Sequence, residues 1–425
     1  MKRILLALVP FIFIAFSTEA FNVKRDSVVM GPEYQNDVYY SFNSSITRTV
    51  VNNLNYHLAF SNMVSQDDRF YTLWLNPERA KAFVNPSQKT ISWNQFDATG
   101  SENWDELRNA DTSWGKGAFS QGKEAHPRYT WAEYKANGDM RGDSLYLLKI
   151  YNPVTTDFDI EFKLMLTQRL SNNGTRTWTF KLGKTNNSWD TTITLTDLVN
   201  SEGNFMYYDV INRKEVVREP KTSDWDYVFT RYMTFTQNLH YNVTGLLSNY
   251  NIASTSIAGD INDPNIDNYL SQWQYNTLIN NIGFEWKLFN MNNFKYELEQ
   301  NKVRIIKKDL GNGLADFYAM QFVRFEGRTT GKIVFDYAYL GKFSSAQQLE
   351  SETLKFYPNP TSGNLNLQTS SDIQHLVVYN MHGQNIYEKF NPGSSLDLSF
   401  LTNGNYIIQV ELKNGQMVRS KMIKI

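Results

Sequence analysis

The sequence predicts an all-β protein, and three observations predict it. Aromatic residues make up 15% of the 425-residue chain, and aromatics favour the pleated, half-buried surface of a strand. Short runs alternate between apolar and polar residues, as in Thr177-Trp178-Thr179-Phe180-Lys181-Leu182, and turns rich in Asn, Gly and Ser separate them. One strand pattern also occurs twice. Asp37-Val38-Tyr39-Tyr40-Ser41-Phe42, Thr49-Val50-Val51 and Asn55-Tyr56-His57-Leu58-Ala59-Phe60 form the first copy. Phe205-Met206-Tyr207-Tyr208-Asp209-Val210, Glu215-Val216-Val217 and Ser223-Asp224-Trp225-Asp226-Tyr227-Val228-Phe229 form the second. In each, a Tyr-Tyr strand leads through a Val-Val strand to an aromatic residue followed four positions later by Phe. A later pair repeats as well: Leu145 to Ile150 with Phe158 to Phe162, and Phe317 to Phe322 with Lys332 to Tyr337.

Taken in order, residues 1–20 read as a secretory signal peptide. Lys2 and Arg3 precede an apolar run from Ile4 to Phe16, which is shorter than the roughly 20 residues a spanning helix needs. No later stretch is apolar enough to cross a bilayer, so the mature chain is expected to lack a transmembrane segment. Residues 21–168 hold the first copy, with a Trp-rich middle at Trp74, Trp93, Trp104, Trp114 and Trp131. Residues 169–202 read as a connecting hairpin whose polar alternate positions suit a sheet edge or a bridge. Residues 203–341 hold the second copy, in which Trp273 to Asn281 reads as a short helix and Gly283 to Phe289 as a resumed strand. Residues 342–353 are a polar linker. Residues 354–425 read as a small immunoglobulin-like β-sandwich, with short strands set between Gly, Asn and Pro turns.

Composition excludes several functions. A net charge of −1 argues against general nucleic-acid binding, which needs a basic field. The absence of cysteine removes disulfides, thiolate metal sites, thiol nucleophiles and a lipid-bearing cysteine. Five histidines without paired spacing give no metal signature. Asp260, Asp263 and Asp267 offer oxygen ligands of the kind calcium takes, but their spacing departs from the EF-hand loop. Arg141-Gly142-Asp143 spells an adhesion tripeptide that a turn between strands also explains. No nucleophile elbow, zinc-protease helix motif or phosphate-binding Gly loop is present, so no catalytic residue is assigned and a non-enzymatic role is expected.

The tail resembles the type A C-terminal sorting domain of the type IX secretion system. The resemblance rests on Tyr357-Pro358-Asn359-Pro360, on Tyr379-Asn380 with Gly383-Gln384, on Leu401 with Gly404 and Tyr406, and on the basic end. It implies that the type IX translocon reads residues 354–425, and that the protein passes through the periplasm to the cell surface or the exterior. The two copies resemble the HmuY-like haem-binding proteins. The second is the closer, through Tyr207-Tyr208, Glu215-Val216-Val217, Trp225-Asp226 and Phe229, whereas the first has Tyr56-His57 where the family has Trp-Asp. This resemblance implies two tandem β domains and haem, or a related porphyrin, as the ligand. Met291 falls at a family ligand position, with His240 and His126 as candidates for the second axial donor. The alternative is a carbohydrate-binding or adhesive surface protein in which exposed aromatics stack on sugar rings.

Overall fold

The computed structural model describes residues 22–62, 72–85, 92–120, 131–134, 139–172, 175–197, 202–236, 238–263, 274–344, 355–368, 372–380, 384–413 and 417–425. Among them regular structure is strand and short 3₁₀ turn, without α-helix. Every strand pairing is antiparallel, so the all-β expectation holds.

Four sheets form the body. A five-stranded sheet runs β1 (Lys24–Val29), β23 (Lys332–Ser344), β22 (Leu314–Phe325), β21 (Lys302–Gly311) and β18 (Ile252–Ala258). An eight-stranded sheet runs β13 (Asp190–Thr196), β12 (Thr175–Gly183), β11 (Asp157–Asn172), β10 (Leu145–Asn152), β6 (Ala80–Val84) and β7 (Asp105–Leu107). Two short strands complete it: β9 (Met140–Arg141) pairs with β11, and β8 (Glu133–Tyr134) pairs with β9. Two four-stranded sheets lie between. One runs β17 (Leu239–Ser248), β16 (Tyr227–Thr236), β2 (Asn36–Tyr40) and β3 (Thr49–Asn52). The other runs β15 (Lys214–Val216), β14 (Phe205–Asp209), β4 (Leu58–Ser61) and β5 (Leu73–Leu75). A separate hairpin pairs β19 (Lys287–Asn290) with β20 (Lys295–Leu298).

Strand alternation stacks these sheets into four layers with three cores between them. Successive side chains on a strand point to opposite faces. Tyr40, Tyr227 and Phe229 therefore pack against Tyr318, Met320, Ile333 and Phe335 of the five-stranded sheet. Tyr39 and Val228, one position away, face Ala59, Trp74, Phe205 and Tyr207 of the other four-stranded sheet. Leu58, Phe60, Met206 and Tyr208 then face Tyr146, Leu148, Trp178 and Phe180 of the eight-stranded sheet. Each Tyr-Tyr pair thus supplies one ring to an outer core and one to the central core.

The two copies of the repeated pattern exchange strands. The Tyr-Tyr strand of the first copy, β2, pairs with β16 of the second, aligning Tyr40 with Tyr227 and Val38 with Phe229. The Tyr-Tyr strand of the second copy, β14, pairs with β4 of the first, aligning Tyr208 with Leu58 and Met206 with Phe60. At the outer sheets, β1 of the first copy pairs with β23 of the second, whereas the eight-stranded sheet takes all its strands from residues 80–196. Residues 21–168 and 203–341 are consequently interleaved, and each contributes strands to sheets of the other.

A buried side chain fixes each exchange at the same place. Asp226 Oδ2 accepts the Phe42 N–H at 2.7 Å, and its Oδ1 pairs with Lys308 at 2.6 Å. His57 occupies the matching position in the first copy, where Nδ1 accepts the Val210 N–H at 3.1 Å. Phe42 and Val210 each lie two residues past a Tyr-Tyr. His57 is 1% exposed, whereas a histidine following Tyr56 in a strand reads from the sequence as facing away from the core. Burial holds the imidazole neutral and pushes its pKa down to about 4; Asp209 opposes that shift and Arg79 adds to it.

The expected helix at Trp273 to Asn281 is absent from its described part, residues 274–281. Asn276 exchanges two backbone hydrogen bonds with Ser254 at 2.8 and 3.0 Å, which holds the segment against β18 as a bridge. The expected hairpin is β12–β13, and β13 lies at the end of its sheet. The C-terminal region is a sandwich of two sheets. One runs β24 (Lys355–Tyr357), β25 (Asn364–Gln368) and β28 (Ser395–Asp397); the other runs β27 (Asn385–Phe390), β26 (Ile373–Asn380), β29 (Gly404–Leu412) and β30 (Met417–Lys424). Leu365, Leu376, Val378, Leu396, Ile408 and Val410 fill the space between them.

Removing Asp226 leaves the Phe42 N–H and the Lys308 ammonium without their acceptor inside the core. Asp226→Ala is expected to cost about 3–5 kcal/mol, the usual cost of breaking a buried pair by removing one partner. Equilibrium denaturation checks this, and an unchanged midpoint would contradict the role given to Asp226.

Candidate functional site

The β19–β20 hairpin sets Phe289 opposite Tyr296 on one face and carries Leu288 among Asn290, Lys295 and Glu297 on the other. Leu288, Phe289, Phe294 and Tyr296 are all exposed, with Phe294 at 73%. Large apolar side chains exposed together in one short hairpin mark a surface for something outside the chain. An open groove of about 830 Å³ lies against it. Five rings form a ribbon along the groove. Tyr34 stacks on Phe325 at 6.0 Å, Phe325 meets Tyr296 at 5.0 Å, Tyr296 meets Phe289 at 5.1 Å, and Phe289 meets Phe294 at 6.5 Å.

Distant parts of the chain build this ribbon. Tyr34 comes from the turn after β1, and Phe325 from the end of β22. The two turns meet where a Cβ added at Gly331 would lie 2.4 Å from the Gly31 carbonyl oxygen. Gly331 also has φ of 62°, so a side chain is excluded there by both contact and conformation. Glu33, Tyr34 and Phe294 have φ of 54°, 57° and 53°. Non-glycine residues rarely adopt this left-handed conformation, and it gathers at binding sites held by surrounding structure. Charged groups edge the ribbon. Arg328 Nε donates to both oxygens of Glu33 at 2.9 Å, Arg231 pairs with Glu78 at 2.9 Å, and Glu326 pairs with Arg324 at 3.1 Å.

Lys287 lies beneath the same rings. It is 6% exposed, and its Nζ donates to the Thr244 carbonyl oxygen. The ammonium sits 4.4 Å from the Trp286 ring centroid, 5.2 Å from Phe325 and 5.7 Å from Tyr296. Burial pushes its pKa down to about 7. Phe325 and Tyr296 therefore line the groove and also enclose a buried amine.

A second, smaller cavity of about 60 Å³ lies in the central core. Its lining includes the fully buried Arg218, whose guanidinium reaches Asp37 at 2.5 Å and Asn55 at 3.1 Å and lies over the Tyr56 and Tyr207 rings. Asp37 also accepts from Thr230 at 2.6 Å, and burial pushes Glu219 up to about 7. The space suits a few waters and nothing larger. Because Asp37 and Arg218 come from opposite copies, the cluster ties the exchanged strands together.

Met291 lies in the turn of the β19–β20 hairpin, 70% exposed. His240 is on β17, its ring 4.8 Å from that of Phe235. Neither lines the groove, and His126 lies outside the described residues. Asp260 accepts both the backbone and side-chain N–H of Asn262, at 2.9 and 2.7 Å. Asp267 lies outside the described residues, and no metal-binding cluster of acidic and histidine side chains is found among those described. In Arg141-Gly142-Asp143, Arg141 pairs with Asp139 at 3.1 Å, and Gly142 packs against the Trp131 and Leu166 carbonyls. Sequence reasoning missed Tyr34, Arg231, Lys287, Phe325 and Arg328. The unbroken apolar run Leu288-Phe289 beside Phe294 and Tyr296 was the available signal.

The folded-state pKa of Lys287 lies below its ordinary value of 10.5. The unfolded chain therefore binds more protons between pH 7 and 10.5, and this residue makes stability rise with pH across that window. Below about pH 7 the penalty is complete and constant. Lys287→Met is expected to flatten the rise, and thermal melts of both proteins from pH 7 to 10 check it. Parallel curves would contradict the account.

Comparison with known proteins places one region. Residues 355–424 match the family described as the secretion system C-terminal sorting domain. No curated protein sequence matches the chain. Among solved structures, similarity is found to PorZ, described as an essential bacterial surface component of the type IX secretion system of Porphyromonas gingivalis. Identity is 10% and the TM-score 0.16, over 94% of this chain and 58% of that one, so the chain spans under two thirds of PorZ. No helix among the described residues is long and apolar enough to cross a membrane. The C-terminal sandwich is a type IX sorting domain, and the protein it labels is carried across the outer membrane to the surface or beyond.

Proposed function

We propose that this exported protein binds a glycan, without turnover, in the groove beside the β19–β20 hairpin. The supporting observation is the ribbon of five rings along an open groove, three of them exposed and two half-buried, edged by arginines and carboxylates. Sugar rings offer C–H faces to aromatic planes and hydroxyls to charged donors and acceptors, and the groove is of the size ligand sites have. Glu33 and Glu326 are each held by an arginine, which favours hydrogen bonding to hydroxyls over proton transfer. Haem, implied by the HmuY-like resemblance, has one observation in its favour: the Met291 thioether is open at the hairpin tip. It needs a second axial donor, and no His or Met is among the described residues that line the groove.

Affinity electrophoresis in glycan-containing gels tests the proposal. Tyr296→Ala and Phe289→Ala are each expected to weaken binding by about tenfold. A haemin titration is the companion measurement, and a Soret shift abolished by Met291→Ala would replace glycan with haem. Export has its own test. Deleting residues 355–425 is expected to leave the protein in the periplasm, and normal delivery of the truncated chain to the medium would contradict the sorting role.

A further inference from the structure

We infer that a glycan seated in this groove expels a proton from Lys287 to solvent, so that the groove binds more tightly as pH rises toward neutrality. The inference rests on the glycan reading of the groove and concerns its regulation. Phe289 lies opposite Tyr296, and Lys287 lies opposite Leu298. Lys287 is therefore on the ribbon face of the hairpin, two residues from Phe289. Its side chain runs under rings that a sugar would cover. Lys287 is 6% exposed, with Nζ 4.4 Å from the Trp286 ring centroid, 5.2 Å from Phe325 and 5.7 Å from Tyr296. Two of those rings, Phe325 and Tyr296, also line the groove.

Among the described residues the amine has one hydrogen-bond partner, the Thr244 carbonyl oxygen, while an ammonium has three protons to place. Charged groups on the surrounding elements are engaged with one another. Arg231, opposite Thr244 in register, is held by Glu78. Glu299, which follows β20, is held by Lys302 and Arg304. Arg324 and Glu326, on either side of Phe325, hold each other. Lys295 and Glu297 lie on the opposite face of the hairpin. Glu285, two residues before Lys287, is exposed. Burial pushes the Tyr34 phenol up to about 12. The charged form of Lys287 is thus supported by ring faces and by water reaching past the open groove. A sugar laid on Phe325 and Tyr296 excludes that water. It also competes for the same π density, because sugar C–H groups and an ammonium both draw on it. Both effects disfavour charge on Lys287. Burial already lowers its pKa to about 7, and the bound state lowers it further. The free protein then holds more protons than the complex, so affinity rises with pH until the free amine is neutral. No histidine is among the described residues lining the groove, so the side chain that ordinarily titrates near neutrality is missing there.

The full chain is titrated calorimetrically with dextran, laminarin and hydroxyethyl cellulose, neutral polymers with no titrating group of their own. Runs at pH 5.5, 7 and 8.5, each in two buffers of different ionisation heat, count the protons exchanged on binding. Whichever polymer wild type binds is expected to bind about threefold more tightly at pH 8.5 than at pH 5.5, with net proton release at pH 7. Lys287→Met is expected to abolish both the release and the pH dependence. The proton count on wild type stands whether or not that variant folds. Tyr296→Ala is the control for the ribbon. Equal affinity across pH without proton release overturns the coupling and leaves the glycan groove standing, and so does tighter binding at pH 5.5. Proton release that survives in folded Lys287→Met assigns it to another group and overturns the inference. Binding and proton release indifferent to Tyr296→Ala place the ligand elsewhere and overturn the groove as well. No binding of any polymer by wild type removes the glycan reading and this inference with it.

Discussion

The reciprocal pairing of the two Tyr-Tyr strands is the constraint on which the rest of the structure depends. β2 has no partner from its own copy except the short β3, and β14 has only β15. Each becomes an interior strand by pairing with the aromatic strand of the other copy. Because neighbouring residues on β2 and β14 feed different cores, a one-residue slip would move Tyr39 and Tyr40 between layers. It would also take Asp226 off the Phe42 N–H and His57 off the Val210 N–H. The buried polar groups therefore sit where register must be decided. Arg218 and Asp37 do the same in the central layer, joining opposite copies through a pair neither could bury alone. The groove follows from this arrangement, since Tyr34 can lie beside Phe325 only if the start of the body is held against its end.

Much of the fold was legible because strand patterning is a local signal. The doubled Tyr-Tyr and Val-Val runs, the β12–β13 hairpin and the β-sandwich tail all declare themselves within ten residues or so. Trp225 is 2% exposed, and its burial is legible in the sequence as well, because a tryptophan just ahead of the apolar run Tyr227-Val228-Phe229 has its place in the core. Partnering was not legible. Alternation at Tyr39 and Tyr40 reveals that both faces are buried, but nothing in it reveals that the neighbour is Tyr227 and not a strand nearby in sequence. The segment from Gln274 to Asn281 failed for the same reason, since its backbone is satisfied by Ser254, over 20 residues earlier.

The candidate site was half visible. The strand read at Gly283 to Phe289 and the ligand position given to Met291 pointed to the right hairpin, and its exposed Leu288, Phe289 and Met291 are among the residues that single it out in three dimensions. The ribbon's other rings come from Tyr34 and Phe325, some 290 residues apart, and no spacing rule connects them. His57 shows the opposite error. A polar residue beside Tyr56 suggested an exposed position, yet the imidazole is neutral and accepts a backbone hydrogen bond that a buried strand end requires. Lys287 was hidden for a related reason: lysine in a strand is ordinarily a solvent-facing residue, and only three surrounding rings make it otherwise.

The pairing of β1 with β23 also bears on when this molecule can acquire its shape. Arg25 and Asp336 meet across that pair with 311 residues between them in sequence. A chain delivered N-terminus first presents β1 as an open edge until nearly all of the body has followed, and contacts of such long separation close slowly. The five-stranded sheet cannot be completed in the meantime, whereas the eight-stranded sheet, drawn from residues 80–196, can. The tail that directs export follows β23 in sequence, so by the time the label emerges the last strand of the body is already available. The order of elements along the chain thus lets the address be read only after everything needed to close the fold has arrived.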